Sequence, residues 1–162
     1  MDFFVIRIVL AMACAKVWVL HQLDVKSDFL NGYLEEEIYM QFPGEYTRAD
    51  GKVCKLNRAT YGLRQAPRAW SKRLCDDLKG CGFTSLVNAE SVFQRMVTGT
   101  VVYLIIYVDD ILVASASEQA AVMAKDSLGK LYKVKDLGKA EYFLGVKIER
   151  EQNLLRLSQE SY

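Results

Sequence analysis

Apolar positions along this chain fall into short runs separated by polar or glycine-containing breaks, a pattern typical of a mixed α+β domain. Ile8, Ala11, Met12 and Ala15 have the spacing of one helix face, whereas the run 101–108 has the length and β-branched content of a buried strand. We therefore expect an antiparallel sheet with helices packed on one face. The predicted helices are 4–16, 67–80 and 117–132, and the predicted strands are 17–25, 38–40, 53–56, 91–97, 101–108, 111–115, 141–149 and 154–158.

Turn and cap residues mark where several of these elements end. Pro67 suits the first turn of a helix, and Ser117 can cap the next one. Thr98-Gly99 predicts a hairpin turn, and Gln152-Asn153 predicts a second one near the end of the chain. A loop containing Pro43-Gly44 and Asp50-Gly51 should separate the strands at 38–40 and 53–56.

Two adjacent carboxylates, Asp109 and Asp110, lie between the apolar runs 101–106 and 111–114. Ionised aspartate is almost never fully buried unless it is paired or bound to a cation. A tight β-hairpin with both aspartates at its tip has the lowest free-energy cost, because it keeps both carboxylates out of the core. A solvated turn is the simpler alternative, because aspartate is common in turns.

A third acid, Asp24, lies near the end of the predicted strand 17–25. Alone it would be an ordinary cap or turn residue. Together with Asp109 and Asp110 it predicts a metal-binding triad of hard oxygen ligands, suited to Mg²⁺. Two ions roughly 3.5–4 Å apart could clamp the oxygens of a phosphoryl transfer. Without a cation, at least one of the three acids should have a raised pKa.

Several segments resemble the reverse transcriptase of copia-type LTR retrotransposons, in the order and at about the spacing of that family. The block from Tyr61 to Trp70 is unusually specific, whereas Asp109-Asp110 alone would be a weak signal. The resemblance covers essentially the whole chain. The matching segments are 23–32, 61–70, 107–110, 135–138, 142–145 and 157–159.

The resemblance implies a palm-like domain of a right-hand polymerase that is a fragment of a Pol polyprotein. Its activity would be that of an RNA-directed DNA polymerase, adding deoxynucleotides to a primer 3′-hydroxyl on an RNA or DNA template. Two Mg²⁺ ions, or Mn²⁺, would be the cofactors. We expect a single incomplete domain, with 1–32 and 67–150 as palm and 33–66 as part of the fingers, and with upstream fingers, thumb and ribonuclease H missing.

Residue roles follow from the matched motifs. Asp24, Asp109 and Asp110 would be catalytic and bind the metal, with the carbonyl of Val25 as a further ligand. Phe29 would exclude a ribose 2′-hydroxyl, unless it is an ordinary core aromatic. Arg64 and Gln65, in the turn before the helix at Pro67, would face the carboxylates and contact the nucleotide. Lys135 would donate a proton to pyrophosphate, with Lys133 and Lys139 as rivals. The turn that grips the primer would consist of Phe143, Leu144 and Gly145.

Each of these roles has a plainer alternative: a turn amide for Gln65, a solvated lysine for Lys135, and a buried hairpin for Phe143 to Gly145. One residue departs from the family pattern. Asp28 stands where the family usually has a small residue such as alanine, and a carboxylate there would repel an incoming triphosphate.

Composition excludes some classes of protein. Basic and acidic residues balance at 21 and 20, but 52–80 holds eight bases and two acids, whereas 24–50 holds seven acids and two bases. A basic segment beside acidic metal ligands suits a polyanionic substrate. The four cysteines form no CxxC pair and His21 is the only histidine, so a zinc site is not expected.

No apolar run reaches the roughly 18 residues of a membrane helix, and Asp2 and Arg7 argue against a signal peptide. We expect an intracellular protein, in a cytoplasmic particle or the nucleus. The oligomeric state is left open. Three alternative functions also remain open: an inert, truncated remnant of the same family, a metal-dependent nuclease, and a non-enzymatic binding module.

Overall fold

The computed structural model describes residues 3–42, 44, 52–151 and 154–159. It is an α+β structure, as the sequence predicts. The helices are α1 (Phe3–Ala15), α2 (Asp28–Asn31), α3 (Ala66–Gly80) and α4 (Glu118–Leu131). The strands are β1 (Val19–Val25), β2 (Tyr33–Met40), β3 (Cys54–Arg58), β4 (Thr84–Leu86), β5 (Ala89–Val97), β6 (Thr100–Tyr107), β7 (Asp110–Ser115), β8 (Val134–Lys139), β9 (Tyr142–Phe143), β10 (Val146–Glu151) and β11 (Leu154–Ser158).

The chain divides into two compact units. Met1–Lys26 and Leu78–Tyr162 form the first, called the sheet unit, and Ser27–Asp77 form the second, called the hairpin unit. The sheet unit contains a six-stranded sheet in the order β4-β5-β6-β7-β1-β8, in which each neighbouring pair is antiparallel. The early strand β1 therefore lies between two strands from the second half of the chain.

Helices cover both faces of the six-stranded sheet, so the expectation that they pack on one face is wrong. Leu20 and its register partner Ala114 pack against α1 in one core. The residues that alternate with them point the other way, and His21 there contacts α4 through Glu118 and Lys125. The reason lies in β7, where Ile111 to Ala114 are all fully buried. A strand that is apolar on both faces needs a covering layer on both faces.

The three-stranded sheet, in the order β11-β10-β9, adds Phe143 and Ile148 to the core on the α1 side. Arg150 on β10 donates to the carbonyls of Ala13 (3.0 Å) and Trp18. The Ala13 carbonyl, in the last turn of α1, also accepts from the Trp18 backbone N–H at 2.8 Å, so Arg150 is its second donor. The turn predicted at Gln152-Asn153 lies outside the described residues.

The hairpin unit pairs β2 with β3 in antiparallel register and includes α2 and most of α3. Helix α3 begins one residue before Pro67, close to the predicted start, and Trp70 in its first turns is buried. Strand β2 is longer than predicted. Within the loop that follows it, Pro43, Asp50 and Gly51 lie outside the described residues.

Most of the other elements agree with their predictions, including the cap of α4, where the Ser117 side chain accepts a hydrogen bond from the Ala120 backbone N–H. Strands β4 and β8 were not anticipated. Both are edge strands of the sheet and carry little of the apolar alternation that identifies a strand from sequence. No helix among the described residues is long and apolar enough to cross a bilayer.

Candidate active site

Strands β6 and β7 are joined by a two-residue turn, Val108-Asp109, because Tyr107 pairs directly with Asp110. Val108 adopts a φ of 56°. A positive φ at the first turn position suits a type II′ hairpin, where glycine is the usual residue. For a β-branched residue this conformation is strained, at a cost of order 1–3 kcal/mol. The predicted tight hairpin is confirmed, with Asp109 in the turn and Asp110 as the first residue of β7.

The antiparallel register brings a third acid to this hairpin. Asp24 on β1 is the direct partner of Asp110 on one side and of Lys135 on the other. Direct partners share a face and have Cβ atoms about 4.5–5.5 Å apart. The backbone N–H of Val25 also donates to the Asp109 carbonyl at 2.8 Å. The end of β1 is therefore held against the turn, and Asp24, Asp109 and Asp110 form the carboxylate cluster.

Each strand aspartate in the cluster has one carboxylate oxygen engaged. Gln22 Nε2 donates to Asp110 Oδ1 at 3.2 Å, and Lys26 Nζ lies 2.8 Å from Asp24 Oδ1. Across the part of the chain that the structure describes, no three His, Cys, Asp or Glu side chains already converge as a metal site. The backbone thus places the three acids as neighbours, while these side-chain contacts hold individual oxygens.

Burial raises the pKa of Asp110, and the negative charges of Asp109 and Asp24 raise it further. The hydrogen bond from Gln22 acts in the opposite direction, because it stabilises the ionised form. The expectation that at least one acid of the cluster has a raised pKa is confirmed. The cluster therefore favours a proton or a cation.

We expect Asp110→Asn to stabilise the protein at pH 7. A raised pKa means that the folded state favours the protonated carboxyl more than the unfolded chain does. That stability is present below the ordinary value of 3.8 and is lost as the pH rises through the raised pKa. Asparagine has no charge to lose, and the gain should be at most about 1 kcal/mol because the side chain is only partly buried.

Urea unfolding at several pH values measures this difference in the free energy of unfolding. The gain should be largest at neutral pH and should shrink as the pH approaches 3.8. Asp126→Asn, an exposed change on α4, is the matched control and should show no such trend. Equal stability of Asp110→Asn and the wild-type protein at pH 7 would contradict the prediction.

Among the three candidate lysines, register distinguishes Lys135. It is the cross-strand partner of Asp24 and therefore lies on the face of the carboxylate cluster. Lys139 instead pairs with His21, which points to the α4 face. Lys133 precedes β8, and its carbonyl accepts a hydrogen bond from the Lys26 backbone N–H at 2.9 Å.

The candidate nucleotide contacts Phe29, Arg64 and Gln65 belong to the hairpin unit. The Phe29 ring meets the Tyr61 ring edge-on, with centroids 4.8 Å apart. Arg64 is exposed and Gln65 is half-buried in the turn before α3. That Arg64 and Gln65 face the carboxylates stays a prediction.

Asp28, the departure from the family pattern, is 1% exposed. Its Oδ1 accepts a hydrogen bond from the Tyr61 hydroxyl at 2.5 Å, whereas its Oδ2 is buried with no hydrogen-bond partner among the described residues. A buried carboxylate oxygen without a donor is costly. The residue therefore weakens the fold locally, whatever it does to a bound nucleotide.

The candidate primer-grip residues form a two-residue turn between β9 and β10, because Phe143 pairs with Val146. Leu144 and Gly145 both have positive φ, 51° and 75°, as in a type I′ turn. Phe143 is 2% exposed and belongs to the core on the α1 side. Its side chain therefore anchors the turn, and only the turn itself is accessible.

One polar network was not anticipated from the sequence. Lys125 donates to His21 Nδ1 at 3.1 Å and to Asp136 at 2.7 Å, and His21 Nε2 lies 3.0 Å from Glu118. Because an ammonium can only donate, Nε2 carries the ring proton and donates to Glu118. No local sequence signal connects residues this far apart in the chain.

Comparison with known proteins decides the family. The family model described as reverse transcriptase (RNA-dependent DNA polymerase) matches residues 1–162. The chain belongs to this family. The resemblance to copia-type reverse transcriptases is confirmed, and with it the assignment to an RNA-directed DNA polymerase family found in retrotransposon Pol polyproteins.

Relatives of this chain occur in plants and yeast. The Retrovirus-related Pol polyprotein from transposon RE1 of Arabidopsis thaliana is 40% identical over 159 residues, 97% of this chain and 11% of that protein. The corresponding polyprotein from transposon TNT 1-94 of Nicotiana tabacum is 40% identical over 162 residues, with 97% and 12% covered. A putative transposon Ty5-1 protein of Saccharomyces cerevisiae is 36% identical over 133 residues, with 81% and 43% covered.

The chain thus spans only 11–12% of the length of the two plant polyproteins. A reverse transcriptase domain uses nucleic acid and nucleotides in general.

Proposed function

We propose that this chain carries the catalytic carboxylates of a reverse transcriptase that transfers deoxynucleotides to a primer 3′-hydroxyl on an RNA or DNA template. The observation that carries the proposal is the register of three strands, in which Asp110, Asp24 and Lys135 lie side by side on one face. Asp109 in the adjoining turn completes the carboxylate cluster. Phosphoryl transfer depends on positioning and charge neutralisation, which such a row of groups can supply.

The carboxylate cluster suits Mg²⁺, or Mn²⁺, by the chemistry of its donors. Asp24, Asp109 and Asp110 offer hard oxygen ligands, and the Val25 carbonyl is a further candidate. Burial raises the pKa of Asp110 and the charges of Asp109 and Asp24 raise it further, so a cation beside it would favour the ionised carboxylate. Bound divalent ions would supply charge neutralisation at the reacting phosphate.

The remaining residues have separate proposed roles. Lys135 lies beside Asp24 and can deliver a proton to the departing pyrophosphate. Phe29 is the proposed sugar gate, with Tyr61 packed against it, and Gln65 and Arg64 are proposed to contact the nucleotide. The turn of Leu144 and Gly145, anchored by Phe143, is the proposed primer grip.

The proposed division into palm and fingers follows these roles. Residues 1–32 and 67–150 would be palm, which includes the six-stranded sheet, and 33–66 would be part of the fingers. The two compact units of the structure instead meet in sequence at 26/27 and 77/78. The hairpin unit therefore includes the proposed sugar gate and the start of α3 along with the proposed fingers segment.

Two alternatives keep specific support. An inert remnant of the family is favoured by the buried carboxylate of Asp28, whose like charge would oppose a triphosphate. A metal-dependent nuclease would use the same carboxylate cluster for hydrolysis.

Primer extension by residues 1–162 tests the proposal. We expect slow, magnesium-dependent addition of a few nucleotides to a labelled primer and poor extension beyond that, because residues outside this chain would hold the duplex. Chelation of the metal should stop the reaction. Shortening of the primer without nucleotides would indicate the nuclease, and no addition with either ion would indicate the remnant.

A further inference from the structure

Lys26 immediately follows β1 and makes two different kinds of contact. Its backbone N–H donates to the Lys133 carbonyl at 2.9 Å, which ties the main chain to the start of the edge strand. Its side-chain ammonium lies 2.8 Å from Asp24 Oδ1. The backbone is therefore held in place, whereas the side chain, which is 47% exposed, has room to move.

The Lys26 ammonium supplies positive charge beside the carboxylate cluster. Asp24 is the register partner of Asp110, and its neighbour Val25 is hydrogen-bonded to Asp109 in the adjoining turn, so Lys26 lies beside a group of three carboxylates. Lys26 is the residue whose ammonium pairs with Asp24 among the described residues. A half-exposed ion pair of this kind is weak and can be broken at small cost.

A divalent cation on Asp24 and the ammonium of Lys26 would compete for the negative charge of the same carboxylate. Two like charges close to one carboxylate also repel each other. Binding of a cation would therefore favour movement of the lysine side chain away from Asp24 and towards another anion. The nearest new negative charge would be the phosphates of a nucleotide that arrives with the cation.

We propose that Lys26 is an exchangeable counter-ion: it pairs with Asp24 before the cation binds, and then moves to the phosphates of the incoming nucleotide. The second half of this exchange rests on the proposed function. Lys26 is a nucleotide-binding residue in this scheme. It differs from Lys135, the proposed proton donor, which lies across the strand pair from Asp24.

The exchange predicts opposite effects on two binding constants. In Lys26→Met, Mn²⁺ alone should bind about three- to tenfold more tightly, because the competing charge is gone. A Mn²⁺–deoxynucleoside triphosphate complex should bind about three- to tenfold more weakly, because the phosphates lose a partner. A merely structural lysine would weaken both or neither.

Electron paramagnetic resonance of Mn²⁺ and equilibrium dialysis of labelled Mn²⁺–dATP measure the two constants without any need for catalysis. Lys26→Arg keeps the charge and should stay near the wild-type protein in both. Lys130→Met removes an equal charge from α4, on the opposite face of the sheet, and should change neither constant. Circular dichroism confirms that each variant is folded.

If Lys26→Met leaves the affinity for Mn²⁺ unchanged or lowers it, the proposed exchange is wrong. An unchanged affinity for Mn²⁺–dATP would overturn it as well. Asp109→Asn separates this failure from failure of the proposed function. If Mn²⁺ binding depends on Asp109 but Lys26→Met lacks the opposite effects, only the role of Lys26 is wrong. If no Mn²⁺ binding depends on Asp109, both proposals are wrong.

Discussion

Asp109→Ala is expected to reduce magnesium-dependent primer extension by about a thousandfold or more. Asp109 lies at the tip of the β6–β7 turn, and its side chain is the cluster's contribution from that turn. Its backbone carbonyl, which accepts from the Val25 N–H, is retained in the variant. The substitution therefore removes a charge from the carboxylate cluster and leaves the hydrogen bond that holds the turn.

Single-nucleotide addition with protein in excess over labelled primer–template measures this effect, since it detects very slow reactions. Asp126→Ala, an exposed aspartate on α4, is the matched control and should retain the wild-type rate. A rate for Asp109→Ala within tenfold of the wild-type protein would remove Asp109 from the proposed mechanism.

Gly32→Ala should destabilise the hairpin unit by about 3 kcal/mol, the upper part of the range for overpacking. A Cβ at Gly32 would lie 2.8 Å from the Trp70 nitrogen and 3.0 Å from the Ala69 carbonyl carbon. Both are backbone atoms of α3, so no side chain can rotate away. The φ of −72° and ψ of 133° at Gly32 are open to alanine, and the effect is therefore steric.

Tryptophan fluorescence during urea unfolding measures the stability of each unit separately. Of the two tryptophans in the chain, Trp70 lies in the hairpin unit and Trp18 in the sheet unit. In a Trp18→Phe background the signal comes from Trp70 alone. An unfolding midpoint unchanged by Gly32→Ala would show that α3 can shift to make room.

Gly129→Ala is the matched control for Gly32→Ala. Gly129 lies in α4, and beyond the backbone of that helix no described atom lies within 4 Å of the point that an alanine Cβ would occupy. Alanine is the better helix former by up to about 1 kcal/mol. The same substitution should therefore raise stability at Gly129 and lower it at Gly32.

Local patterns predicted most of the elements, and their errors have physical causes. The apolar runs on either side of Asp109-Asp110 predicted the hairpin because buried strands and a charged turn leave few alternatives. Strand β8 was not predicted because Val134–Lys139 is mostly polar, and it is a strand only through its pairing with β1. The helix face predicted for α1 was wrong: Ile8, Ala11 and Ala15 are exposed, whereas Ile6, Val9, Leu10 and Ala13 are buried. Helix α1 is apolar on nearly all sides, so its pattern could identify neither its buried side nor the sheet face that it covers.

The candidate site, too, was predicted from the sequence only in part. The pattern of acids beside apolar strands selected Asp24, Asp109 and Asp110. Motif resemblance added Lys135, and it could not rank Lys135 above Lys133 or Lys139. Register ranked them, by placing Lys135 beside Asp24 and turning Lys139 to the other face. The pairing of Lys26 with Asp24 and the unpartnered oxygen of Asp28 also required side-chain geometry.

By itself, the sequence determined the family, the α+β class and the hairpin that carries Asp109, since each depends on residues that are neighbours in the chain. Only the tertiary structure decided which residues accompany that hairpin. Strand β1 enters the sheet between β7 and β8, and a register shift at Gln22/Leu23 sets which β8 residues face Asp24. A slip of one residue would turn each side chain to the other face, so long-range pairing decides the site.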